Sequence, residues 1–295
     1  MAEVVATIGM FDGVHRGHQF VLRHVVMTAH ERGLQPMAIT FDRSPRREPV
    51  LTPLNEKLQL LSQTGIERVE VLSFTDELKQ MTARQFMQQI LKEQYHVKVL
   101  LTGYDNCFGY NREEGFDDYV CYGRELGIEV RCLPPAPSRQ KEDHVSSSYI
   151  RQLLTEGRVA EAVEALGHPY TLVGRVTHGE HVGTGLGYPT ANILPDDPFQ
   201  LLPAIGAYAV TVRIDDGTED WHAMMNIGHR PTFDGQQLTL EAHILQLHGD
   251  LYGRQLRVSF VSRLRDEQRF DDFEALVAQL HRDAARAEAI LSNAG

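Results

Sequence analysis

The sequence predicts an α/β unit with a parallel sheet, followed by a small antiparallel β-barrel and a terminal helix. In the first half, short apolar runs alternate with stretches of helical spacing, the pattern of a parallel sheet with helices on both faces. From residue 170, strands are separated by turns rich in Asp and Gly, which is typical of antiparallel structure. A chain of 295 residues also has room for two domains. We therefore predict domains at 1–166 and 167–295.

The first domain is predicted to contain five strands with helices between them. The strands are expected at 4–9, 36–41, 69–74, 98–103 and 128–133. The helices are expected at 19–32, 55–63, 82–94 and 116–126, with Gly33 and Gly127 where glycines commonly end helices. In open parallel sheets, ligands bind beyond the carboxyl ends of the strands. The loops that follow strands are therefore the first candidates for a site.

The second domain is predicted as a barrel closed by turns. Two short helices are expected just before it, at 146–156 and 159–166. Its strands are expected at 170–177, 206–214, 221–227, 238–246 and 255–262, and a last helix at about 270–292. Such short strands at regular spacing predict a small antiparallel barrel.

Composition and charge narrow the classes of protein. A net charge of −11 leaves no basic excess for binding nucleic acid. No apolar run is long enough to span a bilayer, and the first residues lack a basic leader. The three cysteines show no C-x-x-C spacing, which favours a reducing compartment. We expect a cytoplasmic enzyme or binding protein with no nucleic-acid or membrane partner, and we make no prediction of its oligomeric state.

The segment GMFDGVHRGH, residues 9–18, is a candidate phosphate site. It joins the first strand to the first helix, where free N–H groups and the helix dipole favour anions, and its glycines allow a close backbone approach. His15 and His18 can donate to phosphate oxygens as charge develops on them. Zinc is less favoured, because helical zinc ligands are four residues apart with a Glu between them. Two solvent-exposed histidines are the simplest alternative.

Residues 9–18 resemble the nucleotidyltransferase signature in the form found in prokaryotic bifunctional riboflavin kinase/FAD synthetases. Further segments follow in the family's order: Thr40-Phe41-Asp42, Gly103 to Gly109, and Ser146 to Arg151. The resemblance implies ATP or phosphate binding by Gly9, Phe11, Asp12, Gly17, Ser146, Ser147 and Ser148. It implies catalytic roles for His15, His18 and Arg151, and flavin binding by Phe41, Asp105 and Phe108. Taken alone, the three serines are also compatible with a plain helix cap, and Asp105 with a turn residue.

Segments of the second half resemble the riboflavin kinase module, a six-stranded barrel that phosphorylates the ribityl 5′-hydroxyl. They are GLGYPTANI (185–193), LLPA (201–204), NIG with RPTF (226–233), LEAH (240–243) and DLYG (250–253). The resemblance implies that Thr190 and Asn192 hold Mg²⁺ and that Glu241 is the base. It also implies ATP binding by Gly185 and Gly187, and flavin binding by Asn226 and Arg230.

The residue types suit that chemistry. Oxygen ligands are those that Mg²⁺ prefers, and a carboxylate can take the hydroxyl proton as the oxygen attacks the γ-phosphate. Alternation along the strand places Glu241 on the face opposite Leu240. Periodicity alone does not distinguish a base from a solvent-facing strand residue.

The resemblance implies an enzyme that converts riboflavin to FMN and then FAD, with Mg²⁺ as cofactor and two ATP as co-substrates. One alternative is a cytidylyltransferase or another adenylyltransferase with an unrelated barrel, which would not need the PTAN, NIG-x-RPT and LYG segments. Another is a flavin-binding protein without catalysis, which would not need His15, His18, Thr190, Asn192 and Glu241. A P-loop kinase is excluded, because the sequence contains no G-x-x-x-x-G-K-[ST].

Overall fold

The computed structural model describes residues 2–43, 48–104, 106–136, 145–178, 188–232, 235–247 and 249–293. The chain divides into two compact units, Met1–Ser147 and Ser148–Gly295. Within the described ranges, no helix has the length and apolar character needed to cross a membrane.

The first unit is built on a parallel sheet. Its strands are β1 (Val4–Ile8), β2 (Gln35–Phe41), β3 (Arg68–Leu72), β4 (Val97–Gly103) and β5 (Glu129–Leu133). The strands lie in the order β3-β2-β1-β4-β5, and every neighbouring pair is parallel. All five predicted strands are confirmed to within two residues at each end.

Helices connect these strands. They are α1 (Arg16–Arg32), α2 (Leu54–Ser62), α3 (Asp76–Gln80), α4 (Ala83–Phe86), which continues as a π-helix (Met87–Gln94), and α5 (Phe116–Leu126); a 3-10 turn lies at Tyr110–Arg112. Gly33 and Gly127 end α1 and α5 with φ of 64° and 75°, as predicted. The short helix α3 was not predicted; Thr75 caps it by accepting the N–H of Leu78.

The apolar core lies on both faces of this sheet. All five residues of β1 are buried, because the strand is central and covered on each side. Val4, Ala6 and Ile8 pack with Met87 and Leu91 of the π-helix. Val5 packs on the opposite face, with the helix α1. This arrangement confirms the predicted α/β architecture.

Two helices follow, α6 (Ser147–Thr155), which begins at the last residue of the first unit, and α7 (Val159–Leu166), which lies in the second. The barrel strands are β6 (Tyr170–Thr177), β7 (Ala191–Pro195), β8 (Gly206–Ile214), β9 (Trp221–Thr232), β10 (Gly235–Ile244) and β11 (Gln255–Arg265). They close in the order β10-β7-β6-β11-β8-β9, and every pair is antiparallel. The terminal helix α8 (Phe273–Ser292) follows, with Asp272 as its N-cap. The predicted six-stranded barrel with a terminal helix is confirmed.

Strand β7 was implied by the family resemblance and not by periodicity. Its sequence, ANILP, follows Pro189-Thr190 and ends in Pro195, so it shows no clear strand pattern. Its pairing with β6 and β10 closes the barrel. This pairing carries Asn192 into the barrel wall.

Candidate active sites

The residue 9–18 segment, called the signature loop from here on, follows the central strand of the parallel sheet. Its strand β1 has β2 on one side and β4 on the other, so the loop lies where the strand order reverses, the usual ligand position in such sheets. Phe41 and Gly103 end those two neighbours at the same edge. Asn106, which the sequence analysis did not single out, donates its side-chain N–H to the Ile8 carbonyl at the end of β1.

Asp12 and Ser147 hold the signature loop in place. The Asp12 carboxylate accepts the backbone N–H of Leu51 at 3.0 Å and of Thr52 at 3.1 Å. The Ser147 hydroxyl donates to the Asp12 carbonyl at 2.9 Å. These two side chains thus act on the backbone that carries the histidines. Their predicted role in ATP binding stays a prediction.

Lys57 is a functional candidate that the sequence analysis missed. Its side chain is buried, and its ammonium donates to the Phe41 carbonyl at 2.8 Å and to the Met10 carbonyl at 3.2 Å. Burial lowers the pKa of Lys57 to about 8, while the nearby carboxylates of Asp12 and Asp42 act in the opposite direction. A positive charge therefore lies directly beneath the signature loop at neutral pH.

A signal for Lys57 was present in the helix pattern. Leu54, Leu58 and Leu61 form the apolar stripe of α2, and Lys57 occupies a position within that stripe. A lysine at a core position of an amphipathic helix is rarely buried without a partner. Its partners are backbone carbonyls, which no sequence pattern displays.

The two predicted catalytic histidines are brought together. The His15 and His18 rings are stacked with centroids 3.6 Å apart and planes 20° apart. His15 is the N-cap of α1, and its Nδ1 accepts the His18 backbone N–H at 3.4 Å. In the neutral ring this hydrogen bond assigns the proton of His15 to Nε2. Helix α1 thus begins at Arg16 rather than at residue 19 as predicted, and His18 lies in its first turn.

His18 is held as a neutral imidazole. Burial lowers its pKa well below the usual value, and the neighbouring His15 and Lys57 lower it further. Its Nδ1 is buried and has no hydrogen-bond partner among the described residues. At neutral pH His18 is therefore a single N–H donor with one unused ring nitrogen. Such a group suits a phosphate oxygen as its partner.

Close packing and positive φ angles constrain the backbone of the signature loop. A Cβ at Gly17 would lie 3.1 Å from the His15 ring and 3.4 Å from the Val145 carbonyl, so only glycine fits there without displacement. Phe11 and Val14 have φ of 49° and 38°, a backbone strain that persists only where surrounding contacts enforce it. The Phe11 side chain is buried, so any contact with ATP runs through its backbone.

The predicted flavin residues of the first unit have unequal positions. Phe41 is half-buried and contacts Phe74 edge to face, with ring centroids 5.5 Å apart. Phe108 is buried and stacks on Tyr119 at 4.2 Å, so its ring belongs to the core that supports the loop after β4. Asp105 lies outside the described residues.

The remaining candidates of the first half lie at the helix α6. Ser146 precedes it, Ser148 is exposed in its first turn, and Arg151 is half-buried one turn along. Their assignment to ATP rests on the family resemblance, and their roles stay predictions.

In the barrel, strand register brings three predicted residues into one row. Asn192 of β7 lies opposite Glu241 of β10, and Glu241 lies opposite Asn226 of β9. Directly opposed residues of antiparallel strands point to the same face. Asn192, Glu241 and Asn226, called the polar row from here on, are each half-buried. Thr190 lies just before β7.

The polar row lies on the outer face of the barrel, next to the terminal helix. Ala207 of β8 lies opposite Asn226 and belongs to the apolar cluster that α8 covers with Ala287 and Leu291. Gly228, two residues from Asn226, leaves space, since a Cβ there would lie 3.0 Å from the Asn226 Nδ2. The row is thus bordered by α8 on one side.

For three further predicted residues of the second half, the structure describes only the backbone of Arg230. Arg230 lies in β9, where its backbone is paired opposite Gln237. Gly185 and Gly187 lie outside the described residues.

Family models match nearly the whole chain. The model described as FAD synthetase matches residues 1–149, the part that contains the signature loop. The model described as riboflavin kinase matches residues 166–291, the part that contains the polar row.

Several bacterial relatives match over most of their length and are named bifunctional riboflavin kinase/FMN adenylyltransferase. The one from Escherichia coli is 36% identical, covering 96% of this chain and 91% of its own. The one from Pseudomonas fluorescens is 37% identical (97% and 92%), and the one from Listeria monocytogenes is 34% identical (95% and 90%).

A solved structure has the same fold. A crystal structure described as a macrolide-efflux protein from Streptococcus pneumoniae matches with a TM-score of 0.89 at 31% identity, over 97% of this chain and 94% of that one. The efflux function appears in the description of that protein and is not assigned to this chain. Both family models and the relatives instead agree on riboflavin kinase and FMN adenylyltransferase activities. The chain belongs to the bifunctional riboflavin kinase/FMN adenylyltransferase family, whose members phosphorylate riboflavin to FMN and adenylylate FMN to FAD with ATP.

Proposed function

We propose that the signature loop carries the adenylyl transfer and that the polar row carries the phosphorylation of riboflavin. The register of the barrel is the observation that carries this proposal, because it sets Glu241 between Asn192 and Asn226. The stacked pair of His15 and His18 supports it in the other unit.

In the adenylyl transfer, His15 and His18 donate N–H hydrogen bonds to the phosphate oxygens on which charge develops as pyrophosphate leaves. Such catalysis is mostly positioning and charge stabilisation. Lys57 and Asp12 hold the loop at its backbone, so the donors are placed before the substrate arrives. The family resemblance further implies triphosphate binding by Ser146 and Ser148, a catalytic role for Arg151, and flavin binding by Phe41 and Asp105.

In the kinase reaction, Glu241 takes the proton of the ribityl 5′-hydroxyl as that oxygen attacks the γ-phosphorus of ATP. The bond from the γ-phosphorus to the bridging oxygen breaks, and ADP leaves. Asn226 and Arg230 hold the flavin, and Gly185 and Gly187 approach the nucleotide. Because Asn226 lies opposite Glu241, the base and a flavin contact share one face of the barrel.

The donor set beside Glu241 fits Mg²⁺. Thr190 offers a hydroxyl and Asn192 an amide carbonyl, and oxygen is the ligand that Mg²⁺ prefers. When bound, Mg²⁺ neutralises phosphate charge and orients the nucleotide. Thr177 donates its hydroxyl to the Asn192 carbonyl at 3.4 Å, which holds this backbone in the barrel.

The proposal includes domains at 1–166 and 167–295 and a cytoplasmic location. The riboflavin kinase model begins at residue 166. The backbone N–H of Ala204 donates to the Leu154 carbonyl at 2.9 Å, which ties α6 to the segment before β8. Fragments that begin before α6 and after α7 test the boundary after residue 166. The location follows from the reducing compartment expected for three cysteines without disulfide spacing.

Crossed assays of two variants test the assignment of the two sites. FMN formation from riboflavin and FAD formation from supplied FMN are measured separately by chromatography. In His15→Ala/His18→Ala, FAD formation should fall by at least the 10²–10³-fold roughly expected for one lost donor, while FMN formation persists. In Asn192→Ala, FMN formation should require more Mg²⁺ because a metal ligand is lost, while FAD formation persists.

His30→Ala is the matched control, because His30 is an exposed histidine of the same helix α1. It should leave both activities unchanged. Undiminished FAD formation in the double variant would rule out the proposed role of the histidine pair. An unchanged Mg²⁺ requirement in Asn192→Ala would rule out the proposed metal ligand.

A further inference from the structure

Tyr188, the residue just before Pro189-Thr190, lies between two histidines from other parts of the second unit. Its hydroxyl is hydrogen-bonded to Nδ1 of His281 at 2.7 Å, and His281 belongs to α8. Its ring also packs edge-on against His243 of β10, with centroids 4.9 Å apart. Tyr188 thus joins the terminal helix to the barrel wall.

His243 holds the same segment at its backbone. Its Nδ1 donates to the Pro189 carbonyl at 2.8 Å. His243 is two residues from Glu241 on β10, so both side chains point to the same face of the strand. The strand that carries the proposed base therefore also anchors the segment that carries the proposed metal ligands.

The helix α8 does not depend on His281 to reach the barrel. Asp283 of α8 pairs with Arg265 of β11 at 2.8 Å, and Asp283 is buried. Glu288 of α8 pairs with His222 of β9 at 3.3 Å. The contact of His281 differs from these two, because it goes to the segment before Thr190 and not to a strand.

We propose that His281 and His243 position the Tyr188–Asn192 segment for the kinase reaction, with Tyr188 as the contact through which α8 acts. All three are positioning residues, and the inference rests on the proposed roles of Thr190, Asn192 and Glu241. A displacement of about 1 Å in a positioned group can cost on the order of 10²-fold in rate. The helix α8 and the Tyr188–Asn192 segment thus act together in the kinase reaction.

The test measures FMN formation in the full-length chain over a range of Mg²⁺ and ATP concentrations. Tyr188→Phe removes only the hydroxyl, and His281→Ala removes its partner. Each should lower kcat/KM for ATP by about tenfold, as expected for one hydrogen bond, and raise the Mg²⁺ concentration at half-maximal rate. The double variant should be no worse than either single one, because both remove the same contact.

Rescue and control variants separate positioning from loss of structure. His281→Asn keeps a hydrogen-bonding group near the position of Nδ1 and should restore part of the activity. His222→Gln breaks the other histidine contact of α8 and should leave Mg²⁺ dependence and kcat unchanged. FAD formation from supplied FMN serves as the internal standard, and thermal unfolding reports the stability of each variant.

Wild-type Mg²⁺ dependence and kcat/KM in both Tyr188→Phe and His281→Ala would overturn the inference. If Asn192→Ala is impaired in the same assay, the proposed function stands and only the inference fails. Wild-type behaviour of Asn192→Ala and Glu241→Gln as well would overturn both. Additive losses of kcat/KM in the double variant would overturn the role of the Tyr188–His281 contact. An equal loss of kcat/KM in His222→Gln would overturn it as well.

Discussion

In the first unit the proposed catalytic groups follow one another along residues 9–18, whereas in the second they come from three separate strands. His15 and His18 are placed by a helix cap and by contacts to the loop backbone. Asn192, Asn226 and Glu241 are placed by strand register. Both arrangements bring polar groups into fixed positions, the first through side-chain contacts to a loop and the second through the hydrogen bonds between strands.

The difference lies in what each site needs from the rest of its unit. The signature loop carries backbone strain at Phe11 and Val14. It depends on the buried Lys57 ammonium, which lies outside it, and on the Leu51 N–H that its own Asp12 carboxylate accepts. The polar row lies on regular strands whose ladder hydrogen bonds set its geometry. A loop site is thus vulnerable at its supporting side chains, and a strand site mainly at the functional side chains themselves.

The largest expected effect is that of Glu241→Gln. The change keeps the shape and removes the base, so FMN formation should fall by roughly 10²–10⁴-fold, as is usual for acid–base groups. FAD formation from supplied FMN should be unaffected. Glu219→Gln, at an exposed carboxylate before β9, is the control. FMN formation at the wild-type rate in Glu241→Gln would make Glu241 an ordinary strand residue.

A smaller effect, confined to the other activity, is expected for Lys57→Met. The loss of charged hydrogen bonds to the Phe41 and Met10 carbonyls should lower FAD formation by about 10- to 100-fold, since such bonds contribute about 1.5–3 kcal/mol. FMN formation should persist. Lys79→Met, at an exposed lysine of α3, should leave both rates unchanged.

The pH profile gives Lys57 an independent test within the same experiment. Because its pKa lies at about 8, the ammonium loses its proton as pH rises through that value, and the hold on the loop weakens. FAD formation by the wild type should therefore decline above about pH 8, and Lys57→Met should lack this decline. An equal decline in both proteins would contradict the role of Lys57.

The smallest expected effect concerns the boundary between the units. Fragments 148–295 and 167–295 differ by α6 and α7, which bury Leu154 and Leu166. The proposed boundary after residue 166 predicts equal stability for the two fragments. Urea unfolding followed by the fluorescence of Trp221, the one tryptophan, measures the difference. A shorter fragment that is less stable by about 1.5–3 kcal/mol, the contribution of one such buried side chain, would instead place the boundary before α6.

Local patterns were sufficient for most of the fold. Alternating runs predicted the parallel strands, and Gly33 and Gly127 marked helix ends because a left-handed residue there favours glycine. The helix α3 (DELKQ) buries no side chain and so shows no apolar stripe, and the strand β7 (ANILP) contains Asn192 and ends in Pro195, so neither was found by pattern. Composition, more than length, separated what was predicted from what was missed, because the predicted strands β1, β3 and β5 also have five residues each.

The site was predictable where its residues are contiguous. The signature loop was identified from ten consecutive residues between a strand and a helix. Lys57 was missed because a lysine in a helix resembles a surface residue until its burial is known. Tyr188 and His281 are separated by most of the second unit along the chain, and no local pattern relates them.

The sequence by itself determined the α/β unit, the barrel with its helix, and the chemical groups available to each site. Periodicity and turn preference are local properties, because they depend only on residues that are close together in the sequence. Only the tertiary structure decided which groups meet. Burial of Lys57 and the register that aligns Asn192, Glu241 and Asn226 both depend on long-range packing. A shift of one residue in register would turn Glu241 to the other face of the barrel without changing the sequence pattern.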